Sequence, residues 1–475
     1  MTAEITISFW LLAVMLILTG WAVMDRILIP SVRWFLRRRI NRVIDEISTR
    51  LEIKIKPIQL TKRQVLIDRL VYDAKVVEAI QVYSDKKGVP REVTQARVLH
   101  YAREIVPSFN AYIYFRIGYW LAKRVARLLY RVRVEFLDYG EINTIDPRAT
   151  VVFVMNHRSN MDYILVSFLA AERTALSYAV GEWAKIWPLQ TLIKSLGAYF
   201  VRRKSGNPLY RLVLERYIHM ATKEGVCQAV FPEGGLSRDG NLQNPKLGLI
   251  DYMLRSFDPE RDRDIVFVPV GINYDRTLED RSLLRSLDPQ AEKRSRWFVA
   301  RTTLRFVWHN LALMARNKWQ RFGFACVNFG SKLSAGEYCR SEAINFSLME
   351  KERRFKEVEK LCRQLMLRVS RVIPVIPMPM LAAVFLKNPR TWLSPLDVKV
   401  QVYRLIDELQ SYGATINIPG KDRETAIEKA LNTMRLRHLV VEKDDRFRAN
   451  PQMSDILSYY ANTLAHWGSD RQIGP

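Results

Sequence analysis

His157 and Asp162 stand five residues apart, directly after the apolar run Val151-Val152-Phe153-Val154-Met155 and before a second apolar stretch, Tyr163 to Ala171. An aspartate bonded to one imidazole nitrogen fixes the tautomer and leaves the other nitrogen to take a proton from a hydroxyl. On one continuous helix the two residues would lie about 140° apart, at about 100° per residue, and could not meet. The pair works only if His157 sits in a loop and Asp162 in the first helical turn, with Ser159 or Asn160 as the cap. Alone, a His and an Asp at this spacing are common and equally compatible with an ordinary buried contact.

Three later segments carry further polar groups at the ends of apolar runs. Gly197-Ala198-Tyr199-Phe200-Val201 ends in Arg202 and Arg203, whose planar guanidinium groups suit a phosphate; a solvated strand end is the alternative. Phe231-Pro232-Glu233-Gly234-Gly235-Leu236-Ser237-Arg238-Asp239-Gly240 is a glycine-rich loop carrying an acid, a hydroxyl and an arginine, and also reads as a simple tight turn. Val268-Pro269-Val270-Gly271-Ile272 is an apolar strand interrupted by a proline. In α/β sheets, functional side chains gather at the carboxyl ends of strands.

The elements that must position these groups alternate. Strand-like runs at Arg131–Leu137, Ala149–Met155, Ala198–Val201, Val226–Phe231, Ile265–Val270 and Phe324–Phe329 are separated in several places by helical stretches. Strands apolar throughout predict an α/β fold with a mixed, largely buried sheet flanked by helices. Residues 60–106 have helical periodicity with a break at Gly88-Val89-Pro90, and Pro107 opens a second helical stretch to about Tyr130. The latter interleaves aromatic with basic residues, so it suits either a membrane interface or a core-packed amphipathic helix. Beyond about residue 335 the chain is mostly helical, with a hinge-like Pro- and Met-rich run from Ile373 to Pro379.

The bulk numbers constrain the partner. The 475 residues are 48% hydrophobic and 26% charged, with a net charge of +25. Such an excess calls for an anionic partner. Zinc-finger spacing, an aromatic RNA-binding signature and a basic zipper are all missing, which argues against nucleic acid. The four cysteines show no paired spacing, so neither disulfides nor a metal site is expected. No charge interrupts the run from Ile5 to Met24, and twenty residues just cover a bilayer's hydrocarbon core, about 30 Å thick. Eleven basic against three acidic residues follow between Arg26 and Arg63. That order predicts an uncleaved span with the body of the protein on the cytoplasmic face of the cell membrane, a buried core helix being the alternative. The expected divisions are a membrane helix at 1–24, a basic juxtamembrane and helical region at 25–106, a catalytic unit at 107–335 and a mostly helical region at 336–475.

The four segments, in this order, resemble the four motifs of the glycerolipid acyltransferases that carry an HxxxxD signature. His-Arg-Ser-x-Met-Asp-Tyr, the double arginine, Glu-Gly-Gly-x-Ser-Arg-x-Gly with Pro245-Lys246-x-Gly248, and the late Tyr459-Tyr460-Ala461-Asn462 are most similar to the glycerol-3-phosphate acyltransferase branch. The branch usually has a second histidine where this chain has Asn160 and a basic residue where it has Leu236. Phe-Pro-Glu-Gly also resembles the lysophosphatidate acyltransferases. The resemblance implies acyl transfer from acyl-CoA or acyl-carrier protein to the sn-1 hydroxyl of glycerol-3-phosphate, the first step of phospholipid synthesis, with no bound cofactor or metal. It implies His157 as base and Asp162 as its orienter. Arg202, Arg203, Arg238 and Lys246 become candidates for the acceptor phosphate, Glu233, Gly234 and Ser237 for the loop that holds it, and Pro269 for a structural part. Membrane lipids, a small phosphorylated acceptor and a thioester donor are the implied partners. A lysophosphatidate acyltransferase and a non-catalytic membrane-surface scaffold are the alternatives.

Overall fold

Eight strands build one mixed sheet: β1 Arg131–Phe136, β2 Thr150–Met155, β3 Ser177–Gly181, β4 Ala198–Val201, β5 Gln228–Val230, β6 Ile265–Tyr274, β7 Phe324–Phe329 and β8 Leu333–Ser334. Their order is β1-β7-β6-β2-β5-β3-β4, with β8 beside the first half of β6. β2, β3, β4, β5 and β6 run parallel, whereas β7 and β8 run antiparallel to β6. A computed structural model of the chain describes residues 57–137, 144–170, 174–181, 189–202, 205–288, 321–418 and 423–468, with a few isolated positions elsewhere. The expected span at 5–24 lies outside these residues apart from Trp10, Met15 and Thr19; no described helix is long and apolar enough to cross a membrane.

Every residue of β6 is buried, as its apolar sequence requires. Pro269 lacks an N–H and would break a central ladder. It falls where β6 changes neighbour, from β8 (Phe267 opposite Leu333) to β7 (Val270 opposite Phe329). There its carbonyl accepts the Gly330 N–H at 2.9 Å.

Helices cover the sheet on both faces. The N-terminal stretch forms three: α1 Arg63–Val71, α2 Ala74–Lys87 and α3 Arg91–Ile105. The break at Gly88, with φ 61°, matches the sequence reading. The unexpected one follows from Asp73, whose carboxylate caps α2 and holds Arg216 at 2.7 Å. Helix α4, Tyr119–Leu129, begins later than Pro107 because a π-helical turn, Ile113–Gly118, precedes it. The connections between parallel strands include α5 Met161–Ala170 after β2, a short helix Leu189–Ser195 between β3 and β4, α6 Pro208–Lys223 before β5 and α7 Gly248–Leu254 before β6.

The C-terminal helices close over β6. In α8, Lys351–Arg371, the buried Val358, Leu361, Cys362, Leu365 and Val369 form one apolar stripe. Its end lies so close to β6 that a Cβ on Gly271 would collide with the Val372 carbonyl. The Ile373–Pro379 run is no hinge: Pro377, Met378, Pro379 and Met380 are buried at the start of α9, Pro377–Lys387, the centre of a second core. Proline is suited to a helix's first turn, where its missing N–H costs nothing. Around α9 pack α10 Pro395–Ser411, α11 Arg423–Leu436, the hairpin of β9 Val440–Lys443 with β10 Arg446–Ala449, and α12 Ser454–Ala461.

Asp275 ties the sheet to α9. Its Oδ2 accepts the Phe324 N–H of β7 at 2.7 Å and its Oδ1 the Met378 N–H of α9 at 2.9 Å. Burial pushes its carboxyl from 3.8 up to about 6, against the pull of those two N–H groups. The folded protein therefore holds a proton that the unfolded chain releases, and stability is expected to fall as pH rises from about 4 to 6, by at most about 1.4 kcal/mol per unit from this group. Urea unfolding across that range checks it: Asp275→Asn should flatten the slope, and an unchanged slope would exclude Asp275 as its source.

Candidate active site

β2 ends at Met155 and the chain turns through Asn156 and His157 into α5. Asn156 holds the turn in place as a side-chain substitute for one more ladder pair: its Oδ1 accepts the Ile272 N–H at 2.7 Å and its Nδ2 donates to the Ile272 carbonyl at 2.9 Å. His157 then meets Asp162, Nδ1 to Oδ2, at 2.8 Å. His157 is 2% exposed and Asp162 fully buried. With a carboxylate as its partner, Nδ1 carries the proton and Nε2 keeps its lone pair. Nε2 makes no hydrogen bond among the described residues.

The carboxylate of Asp162 also organises the loop. Oδ2 accepts the Arg158 and Ser159 N–H groups at 2.8 and 3.1 Å, and Oδ1 accepts the Tyr274 hydroxyl at 2.6 Å. Ser159 is the capping side chain, its Oγ accepting the Met161 N–H at 3.1 Å. Burial and the Asp162 charge hold the Tyr274 hydroxyl well above its ordinary range, so it remains a donor. The imidazole stacks on Phe231, centroids 4.2 Å apart, and meets the edge of Tyr163 at 5.2 Å. Half-buried Glu279 accepts from Ser159 Oγ at 2.7 Å and from the Asn160 amide at 3.0 Å, with its carboxyl raised by desolvation.

The glycine-rich loop after β5 is built onto the same turn. Glu233 Oε1 accepts the His157 N–H at 2.8 Å and Oε2 the Gln243 N–H at 3.0 Å. Burial raises the Glu233 carboxyl and the Arg158 charge works against that rise. Ser237 donates its N–H to the His157 carbonyl at 2.9 Å and its Oγ–H to the Asn241 carbonyl at 2.7 Å. Glu233 and Ser237 thus brace the loop. Gly234, at φ 67°, leaves room for Lys246, whose Cδ would stand 2.6 Å from a Cβ there. Lys246 is exposed, and so is Arg238, which reaches only the Ser286 carbonyl at 3.5 Å.

Not every expected residue joins this group. Arg202 grips Glu104 through Nε and Nη2 at 2.9 and 2.6 Å and lies over the rings of Tyr101 and Tyr210. Its charge is already matched, and β4 stands three strands from β2, about 14 Å at the usual strand spacing. Arg203 lies outside the described residues. The sequence reading had missed Tyr274, Glu279, Asn156 and Arg158. Arg158 is 1% exposed, with Nη1 on the Gly240 carbonyl and neither Nε nor Nη2 bonded among the described residues. Only its place inside His-Arg-Ser-x-Met-Asp could have drawn notice to it.

Known proteins resemble this chain in two regions. Residues 136–273 match the Acyltransferase family and residues 309–469 match the glycerol-3-phosphate acyltransferase C-terminal region. A glycerol-3-phosphate acyltransferase of Xylella fastidiosa is 27% identical over 443 residues, covering 90% of this chain and 50% of that protein. One of Aeromonas hydrophila is 26% identical over 455 residues, covering 90% of this chain and 53% of its own length. The chain thus spans about half the length of the curated relatives it matches. The 1-acyl-sn-glycerophosphate (LPA) acyltransferase of Thermotoga maritima, a solved structure, is 17% identical and aligns over 64% of this chain and 95% of its own at a TM-score of 0.30, too low to carry an argument. In these two regions, and along most of its length, the chain is similar to glycerol-3-phosphate acyltransferases.

Proposed function

We propose that this chain acylates the sn-1 hydroxyl of glycerol-3-phosphate at a membrane, using an acyl thioester. The observation that carries the reading is the buried His157–Asp162 pair, joined at 2.8 Å with Nε2 unengaged. Nε2 takes the acceptor's hydroxyl proton as the oxygen attacks the thioester carbonyl. Asp162 stabilises the resulting imidazolium. When the tetrahedral intermediate collapses, the new C–O bond remains, the C–S bond breaks and the thiolate leaves, to be protonated by His157. Holding hydroxyl and thioester together supplies much of the acceleration.

Arg238 and Lys246, both exposed on the loop that Glu233 ties to His157, are the acceptor's phosphate ligands in this reading. Arg202 drops to a structural role because Glu104 holds it. The thioester is acyl-CoA or acyl-carrier protein, and no bound cofactor is required. A lysophosphatidate acceptor is the second reading, favoured by the Phe231-Pro232-Glu233-Gly234 sequence. Membrane contact is proposed on the run Ile5–Met24, its basic flank and one face of the helix before β1. That face exposes Ile117, Trp120, Leu121 and Leu128 among Arg116, Arg124 and Arg127, an arrangement suited to an anionic lipid interface.

Thiol release from acyl-CoA in purified membranes, run in parallel with glycerol-3-phosphate, lysophosphatidate and dihydroxyacetone phosphate, tests the acceptor. Glycerol-3-phosphate is expected to react fastest, and a faster lysophosphatidate reaction would promote the second reading. His157→Ala should lower turnover by roughly 10² to 10⁴, because a general base contributes about that much, and should cost about 1–3 kcal/mol of stability, because it leaves the buried Asp162 one donor short. Near-normal turnover would refute the mechanism.

Four donors converge on Asp162, so Asp162→Asn should cost both turnover and about 1–3 kcal/mol of stability, as an amide cannot accept all four. Tyr274→Phe removes one donor and should lower kcat by much less, with stability down by about 1 kcal/mol. Equal kinetic losses in the two would show that Tyr274 has a larger part than orienting Asp162. Arg238→Ala should raise KM for glycerol-3-phosphate and leave KM for the thioester unchanged. The reverse pattern would move Arg238 to the donor side.

A further inference from the structure

A cleft lined by none of the residues of the His157 site lies beside Tyr130. It has a volume of about 480 Å³ and opens between the end of α4, the starts of β1 and β7 and the first turns of α11. Arg127, Arg131, Arg133, Arg321 and Lys429 line it, and no carboxylate among the described residues does. None of the five forms a salt bridge among the described residues. Glu135 and the buried Asp275 feel Arg133 and Arg131 without contact. By contrast Arg202, Arg216, Arg255, Arg354 and Arg437 are each held by an acid. Five unmatched cations around one cleft repel one another and favour the entry of a multivalent anion. Thr425, in the first turn of α11, adds a hydroxyl and the positive end of a fourteen-residue helix.

The position of the cleft selects among anions. Tyr130 lines it and packs on Tyr274 at 5.3 Å, and the Tyr274 hydroxyl donates to Asp162 at 2.6 Å. The cleft is therefore on the Nδ1 side of His157, whereas the reacting hydroxyl must approach Nε2. A three-carbon phosphate ester with its hydroxyl at Nε2 is too short to pass Asp162, Tyr274 and Tyr130 and reach these cations. A thioester joined by a long flexible arm to a nucleotide is not. We infer that this cleft binds the phosphate-rich nucleotide end of a coenzyme A thioester. The inference rests on the proposed acyl transfer for the word donor, but the binding it asserts can be measured without turnover.

The test uses the full-length protein and coenzyme A itself, by titration calorimetry at two salt concentrations. Arg131 and Lys429 are exposed and stand on separate walls, so Arg131→Gln, Lys429→Gln and the double variant can each be read alone. Each single change should raise the Kd severalfold, and the double about tenfold or more, with a shallower salt dependence. KM for acyl-CoA should rise in the same proportion. KM for glycerol-3-phosphate, and the rate with an acyl-pantetheine donor that lacks the nucleotide, should not move. Four results would each overturn the assignment: a wild-type protein that does not bind coenzyme A, an unchanged Kd in the double variant, a rise confined to KM for glycerol-3-phosphate, or a loss seen only in binding to phosphatidylglycerol vesicles. A protein that binds coenzyme A through these residues but acylates no acceptor would instead count against the proposed function alone.

Discussion

A single buried carboxylate sets the geometry of the candidate site. Asp162 is fully buried and serves His157 Nδ1, the Arg158 and Ser159 N–H groups and the Tyr274 hydroxyl. An ionised carboxylate removed from water costs several kcal/mol unless donors replace the lost hydration. Four do so here, and each demand falls on a different part of the fold. The two backbone donors bend the chain tightly between β2 and α5. The tyrosine requires β6 to outrun β2: their pairing ends at Met155 opposite Val270, and β6 continues to Tyr274. Asn156 fills the gap, offering Ile272 the donor and acceptor that the departing strand no longer supplies. His157 is thus held in its loop as one donor among four.

The loop carrying Arg238 is fixed from two sides. Glu233 and Ser237 tie it to the backbone of His157. From the other side, the C-terminal region presses on it: Gly240, at φ 89°, has no room for a Cβ because of the Tyr459 carbonyl, and Asn462 donates to the Asp239 carbonyl at 2.9 Å. Tyr460 bonds to Asp280 Oδ2 at 2.6 Å and also receives Arg437 Nη1 at 3.0 Å. The late Tyr459-Tyr460-Ala461-Asn462 sequence is therefore part of the support of the site, more than two hundred residues before which the loop occurs in the chain. Asp275 and the close approach of α8 to Gly271 complete the connection.

The apolar strands were the most legible part of the sequence. Ala198–Val201 and Phe324–Phe329 have the limits expected, and Arg131–Leu137 and Ala149–Met155 miss by one residue. β3 escaped because Ser177, Ala179 and Gly181 dilute its five residues below the apolar pattern of its neighbours. The β9–β10 hairpin escaped because its turn is made by Asp444 and Asp445, both at positive φ, with no glycine to mark it. In the site, His157 and Asp162 were readable because a loop-to-helix junction can join residues five apart. Their supports were not. Tyr274 and Glu279 reach the pair from more than a hundred residues away, and only the sheet order brings them there. Arg202 misled for the complementary reason: a basic strand end looks free until Glu104 arrives from a distant helix.

That last case bears on how a net charge of +25 should be read. Charge alone does not identify a phosphate ligand, because several arginines in this protein serve the fold. Arg216 fastens α6 to Asp73, Arg354 fastens α8 to Asp251, and Arg437 fastens α11 to Asp280, each at a largely buried position. Removing such a partner leaves an uncompensated buried charge, so these arginines are committed. The informative cations are those that face solvent or a cleft with no acid beside them. Arg238 and Lys246 near His157, and the five lining the cleft behind Tyr130, meet that criterion. The loop of the first two is tied to His157 through Glu233, whereas the second group borders Tyr130, which packs on Tyr274, the donor to Asp162, so the two sets of cations reach the His157–Asp162 pair through different parts of the fold.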